Sequence, residues 1–235
     1  MRYRENFGMF FAKDLRYPHT WEERKPTLHQ RVLFVPPFYT EHVAEALPPW
    51  EDPEVFGKRG KVFIEYCSGN GAWIVQKASL SPDTHWVAVE KKFDRVQKTW
   101  ARMQNNNLGN MLVVCGEALT FTTHYLPEKS VDGIFINFPD PWPKAKHAKH
   151  RLLQSPFVNE LARILKDGGE VTLVTDDPPY ARQMIDEMQK DNRFFPKFPD
   201  PYFVIEWPDY GTSYFENLWR TKGRVIHYIV FRRIA

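Results

Sequence analysis

From Lys61 onward the chain repeats one pattern: a short apolar run, a turn, then a stretch with apolar residues at helical spacing. The runs are KVFIEY, HWVAVE, MLVVCG, VDGIFIN and EVTLVT. The helix-like stretches are AWIVQKASL, FDRVQKTWARMQNN, PFVNELARIL and PYARQMIDEMQ. Strands that alternate with helices must cross over between parallel neighbours, and such crossovers are right-handed. This alternation predicts an α/β fold: a doubly wound, mostly parallel, Rossmann-like sheet. PFVNELARIL is expected to close on a Gly168-Gly169 C-cap. YFVIEW and RVIHYIVFRR read as two further strands with no full helix between them, an antiparallel C-terminal pair finishing the sheet.

Residues 1–55 differ. Pro18, Pro26, Pro36, Pro37, Pro48, Pro49 and Pro53 interrupt any long element, and aromatic and charged residues are interleaved. One short helix is expected in YTEHVAEAL, and the rest is expected to be an arm ordered by docking. The predicted organisation is this arm followed by one domain over residues 56–235. A net charge of +3 is too mild to prove a polyanionic partner, so local clustering has to carry that argument. The two cysteines, Cys67 and Cys115, show no metal-type spacing, which fits a reducing compartment. Nowhere do about eighteen apolar residues run together. A soluble, cytoplasmic protein without membrane association, monomeric or homodimeric, is expected.

In a doubly wound sheet the ligand sits beyond the carboxyl ends of the strands. The successive strands end on, or run just into, Glu65, Glu90, Glu117, Asp140 and Asp176-Asp177. EYCSGNG offers Gly69 and Gly71 for a tight turn and a close backbone approach. It lacks the G-x-G-x-x-G that a pyrophosphate requires, and Glu65 beside it repels phosphate while attracting an ammonium or sulfonium group. Glu90 is placed to accept both ribose hydroxyls of an adenosine moiety. Glu117 suits either an adenine amino group or the N-cap of the next segment. A nucleoside with a cationic amino-acid tail, held by carboxylates, is S-adenosylmethionine.

Strand four runs into FPDPWPKAKHAKHR; TDDPPYARQM and SYFENLWRTKG follow. In order over residues 60–232, these stretches resemble the bacterial tRNA (guanine-N7-)-methyltransferases, class I S-adenosylmethionine-dependent enzymes. The resemblance implies methylation of guanine N7 in the variable loop of tRNA. It implies cofactor binding by Glu65, Glu90, Glu117 and Asp140 around the Gly69–Gly71 turn, with Asp140 catalytic. It implies RNA contacts at Lys144, Asp176, Ser213, Tyr214, Phe215 and Glu216. The chain departs from the family pattern in carrying Glu117 for Asp, Cys67 for Gly and Ser213 for Thr.

The chemistry agrees on separate grounds. Guanine N7 has a free in-plane lone pair, so methylation needs alignment rather than proton removal. A carboxylate pinned between Pro139 and Pro141 can accept from guanine N1 and N2 and offset the charge that develops. Lys144, Lys146, His147, Lys149, His150 and Arg151 form a strip suited to a phosphate backbone. Arg220, Lys222 and Arg224 make a second basic cluster, and Arg232 and Arg233 a third. His147 and His150 lack a third ligand, so no metal is expected there. Asp177-Pro178-Pro179-Tyr180 imitates the signature of amino-group methylases, but it follows strand five and reads as a helix cap. The rival readings are methylation of another RNA base, a nicotinamide-dependent oxidoreductase and a non-catalytic RNA-binding protein.

Overall fold

The computed structural model describes residues 9–37, 47–211 and 213–234. Apart from Leu47, the expected helix YTEHVAEAL lies outside the described residues. In chain order the elements are β1 (Thr27–His29), β2 (Val32–Phe34), β3 (Lys61–Tyr66), α1 (Ala72–Leu80), β4 (Thr84–Glu90) and α2 (Phe93–Asn105). They continue with β5 (Met111–Cys115), α3 (Ala118–Tyr125), β6 (Val131–Asn137), α4 (Ser155–Ile164), β7 (Leu165–Thr175) and α5 (Pro178–Gln189). The last are β8 (Phe194–Pro196), β9 (Phe203–Val204), α6 (Tyr214–Thr221) and β10 (His227–Arg233).

One sheet takes in all of these strands, in the order β1-β2-β5-β4-β3-β6-β7-β10-β8, with β9 also pairing β10. The five expected strands, β3 to β7, pair in parallel. Both faces of this centre are covered, so its strands are apolar throughout rather than alternating: β5 is buried at every position. On one face α1 and α2 supply Trp73, Ile74, Val96, Trp100 and Met103. In α2 the buried Val96, Trp100 and Met103 recur at helical spacing. The other face carries a second core, fed by Phe121 of α3, by Phe157, Leu161 and Ile164 of α4, and by Tyr180 and Met184 of α5.

The winding runs outward from β3 through β4 to β5, then returns to β6 on the other side of β3. The chain therefore changes direction between β3 and β6, which opens the crevice where a ligand fits.

Four local features differ from the sequence expectation. The arm contributes two strands: β1 and β2 form a hairpin, and β2 extends the sheet in parallel with β5. Its two-residue turn, Gln30-Arg31, has both residues at positive φ (49° and 61°), as a tight right-twisting hairpin demands. Gly168-Gly169 does not cap α4, which ends at Ile164. The glycines lie inside β7, where the register with β6 jumps from Val131↔Leu165 to Gly133↔Glu170. A Cβ on Gly169 would stand 2.9 Å from the Asp132 carbonyl oxygen, so the bulge itself needs a glycine. α3 and α6 are the other two differences. α6 separates β9 from β10, so the terminal strands do have a two-turn helix between them. Their antiparallel pairing stands, although β9 spans only Phe203–Val204 of YFVIEW.

Candidate active site

Glu65 is the penultimate residue of β3, at the point where the winding reverses, and is 2% exposed. Asn137 ends the adjacent β6, and its Nδ2 donates to Glu65 Oε1 at 2.7 Å. The other carboxylate oxygen, Oε2, is buried and has no hydrogen-bond partner among the described residues. Burial pushes the Glu65 carboxyl up to about 8, the charge of Glu90 adds to this, and the Asn137 donation opposes it. A buried acceptor left open at a protein crevice wants a cation.

The loop after β3 is wound tightly. Cys67 (φ 59°), Gly69 (φ 56°) and Gly71 (φ 71°) all occupy the left-handed region. A Cβ on Gly71 would lie 2.6 Å from Thr99 of α2, so only glycine lets the loop seat there. Cys67 takes that conformation as a non-glycine residue, at a cost of about 1–2 kcal/mol. Glu90 fastens the loop from β4: its Oε2 accepts from Gly69 N at 3.1 Å and its Oε1 from Lys92 N at 2.9 Å. Each oxygen keeps a further lone pair for a ligand. Arg95 lies 3.7 Å from Glu90 and over the ring of Phe215.

Glu117 is the N-cap of α3 and accepts from Thr120 N at 2.7 Å, so the capping role is observed. The side chain still lines the main cavity, a space of about 680 Å³ that also meets Glu90, Asp140, Asp176 and Phe215. Asp140 is exposed and makes no hydrogen bond among the described residues. Its loop is constrained on both sides: Phe138 (φ 49°) and Trp142 (φ 41°) are again left-handed, and Phe138 N donates to Val174 O at 2.8 Å.

The chain is similar to known proteins over most of its length. A family model described as a putative methyltransferase matches residues 59–228. The tRNA (guanine-N(7)-)-methyltransferase of Chlamydia muridarum is 46% identical over 214 residues, covering 91% of this chain and 94% of its own. The enzyme of the same name from Rubrobacter xylanophilus is 31% identical, covering 79% and 82%. This chain belongs to the tRNA (guanine-N7-)-methyltransferase family. Among solved structures, the 16S rRNA methyltransferase KamB superposes with a TM-score of 0.56 at 13% identity, over 77% of this chain and 91% of its own. The aminoglycoside resistance methyltransferase NpmB1 gives 0.52 at 18%, over 74% and 87%. At such identities these two likenesses establish the methyltransferase fold alone.

The methyltransferase's remaining candidate residues divide by position. Ser213, Tyr214 and Phe215 line a smaller hollow together with Glu65, Gly69 and Asn137. Ser213 caps α6, its Oγ accepting from Glu216 N at 3.0 Å. Glu216 is buried and accepts from Arg220 Nε at 3.0 Å and from the Tyr228 hydroxyl at 2.7 Å, and its Oε2 has no partner among the described residues. Asp176 is paired with Arg224, whose guanidinium also lies over Trp219. Lys144 is exposed on the loop outside the main cavity.

The basic strip is not uniform. Lys144, Lys146 and Lys149 are exposed. His147 and His150 pack against Trp142, with ring centroids 5.8 and 5.2 Å away. Arg151 points inward: its Nε donates to the Pro141 carbonyl at 2.7 Å, it bonds Gln183, and it lies over Tyr180. It therefore braces the proline knot. Among the described residues no cluster of three potential ligands could hold a metal. Asp177 caps α5 by accepting from Tyr180 N at 2.8 Å, the helix-cap reading of the DPPY stretch. Asn137, Arg95 and Tyr210 are the residues sequence reasoning passed over. A polar side chain ending an apolar strand was the available signal for Asn137.

Proposed function

We propose that this methyltransferase moves a methyl group from S-adenosylmethionine to N7 of a guanine in the variable loop of tRNA, with Asp140 as the catalytic carboxylate. The observation that carries this reading is Asp140 itself. It is an exposed carboxylate, without a partner among the described residues, in a proline-braced knot that opens on the same cavity as Glu90 and Glu117.

The residues fit the cofactor. Glu65 Oε2, buried and unpaired, suits the ammonium group; Glu90 has capacity for the ribose hydroxyls, and Glu117 can accept from the adenine amino group. When bound, S-adenosylmethionine supplies an electrophilic methyl on a sulfonium. Everything else is positioning by this chain. Gly69 and Gly71 keep the loop backbone clear for the close approach. Asp140 accepts from guanine N1 and N2, turns N7 toward the methyl and offsets the positive charge left on the base.

No general base is required because N7 carries no proton. Lys144 and Lys149 contact phosphates, and Asp176 with Ser213–Glu216 forms the RNA side of the site. The family match beginning at residue 59 supports a methyltransferase domain over 56–235 preceded by an arm of residues 1–55. No helix among the described residues is long and apolar enough to cross a membrane. We place the enzyme in the cytoplasm, as a monomer or homodimer.

The test is incubation with unmodified tRNA and labelled S-adenosylmethionine, followed by mapping of the methylated nucleotide. Label on N7 of a variable-loop guanine is expected. Label on another base or atom overturns the substrate assignment.

A further inference from the structure

Behind Glu65 lies a side chain with no other part in the proposed chemistry. Asn137 bonds at both ends of its amide: Nδ2 donates to Glu65 Oε1 at 2.7 Å, and Oδ1 accepts from the Tyr210 hydroxyl at 2.6 Å. Among the described residues the Tyr210 hydroxyl bonds Asn137 alone. Its ring is held independently, 5.3 Å from Trp73, 5.3 Å from Trp207 and 5.1 Å from Tyr228, and its backbone carbonyl accepts from Trp73 Nε1 at 2.9 Å. The fold thus clamps the ring and leaves the hydroxyl to fix the amide.

We propose that Tyr210 is a positioning residue for cofactor binding: through Asn137 it holds the Glu65 carboxylate so that its unpaired oxygen meets the ammonium end of S-adenosylmethionine. This rests on the cofactor reading above. Without the hydroxyl, Oδ1 of Asn137 has no partner in a site where that residue is 5% exposed. The amide then turns or recruits water, and Glu65 Oε1 loses a fixed donor. Burial, with the charge of Glu65 adding to it, holds the phenol well above its ordinary value, so the hydroxyl keeps its proton and stays a donor.

The experiment compares two ligands by calorimetry on the full chain. S-adenosylhomocysteine carries the amino-acid tail; 5′-methylthioadenosine keeps the adenosine and thioether without the tail. Tyr210→Phe retains the ring and is expected to weaken S-adenosylhomocysteine about tenfold, the worth of one hydrogen bond to a charged site. Its affinity for methylthioadenosine should stay within about twofold. Asn137→Ala must reproduce that selectivity, and adding Tyr210→Phe to it must cost nothing more. Equal weakening of both ligands, unchanged binding of both, or an additive loss in the double variant overturns the proposal. Wild-type protein that binds neither ligand sinks the cofactor reading, and this inference with it.

Discussion

Glu65 should make cofactor binding release a proton. Its carboxyl, pushed up to about 8, is mostly protonated in the free protein at neutral pH. At pH 7 about one molecule in ten carries the charge that an ammonium partner requires. Burial also lifts the Cys67 thiol to about 12 and the Tyr210 phenol well above its usual value, so neither of these two loses its proton in this range. The sign follows directly. The bound cation favours the ionised form, so affinity rises with pH up to about 8 and falls about tenfold, or about 1.4 kcal/mol, per unit below it. Calorimetry with S-adenosylhomocysteine at pH 7, in phosphate and again in Tris, should differ in apparent enthalpy by about 0.9 of the difference in buffer ionisation enthalpies. Methylthioadenosine, lacking the ammonium, should show no such difference. Glu65→Gln should abolish the proton release and weaken the tailed ligand alone. A wild-type enthalpy independent of buffer, or a Glu65→Gln variant that keeps the pH dependence, refutes the reasoning.

Asp140→Asn should lower kcat by about a hundredfold or more with the melting temperature unchanged, because among the described residues the carboxylate makes no hydrogen bond within the fold. Single-turnover assays and a thermal melt separate the two effects. Gly71→Ala should destabilise the chain by roughly 2–5 kcal/mol, combining left-handed strain with the Thr99 clash, while Gly69→Ala carries only the strain, about 1–2 kcal/mol. Urea titration of both variants checks the gap, and equal midpoints count against it. Lys149→Ala should reduce the salt slope of tRNA binding by about one. Arg151→Ala should leave that slope unchanged while lowering kcat, since its guanidinium is engaged with Pro141 and Gln183.

The sequence was most readable where burial is complete. In β3 to β7 the apolar runs are continuous because both faces are covered, and the residue ending each run falls at the crevice. It was least readable where elements are short. ALTFTTHY, with three threonines and two aromatics, resembles strand composition, yet the Glu117 cap and tertiary packing of Phe121 make it helical. YFENLWRT is only eight residues long, but Ser213 followed by Glu216 was a capping signal in plain view. The two three-residue strands of the arm have too few positions to show a period. Gly168-Gly169 misled because a glycine pair after a helix normally ends it, and here the pair serves a bulge in β7. At the site, Glu90, Glu117, Asp140 and Asp176 all meet one cavity, as strand ends of one rim should, while Glu65 lines a neighbouring hollow. That Arg151 turns inward and Asn137 links Glu65 to Tyr210 depends on contacts far apart in the chain, which periodicity cannot show.

The hairpin of β1 and β2 has a consequence for how the molecule is made. Its docking partner lies far along the chain: Arg31 bonds the Met111 carbonyl across a separation of 80 residues, and Val32 to Phe34 pair with Val113 to Cys115. The apolar β2, paired with β1 on one edge, therefore has no partner on its other edge until β5 has formed. Nature's usual remedy for such a delay is brevity, and a three-residue strand offers little edge for another chain to join. The hairpin thus closes one outer edge of the sheet through contacts that span 80 residues of chain.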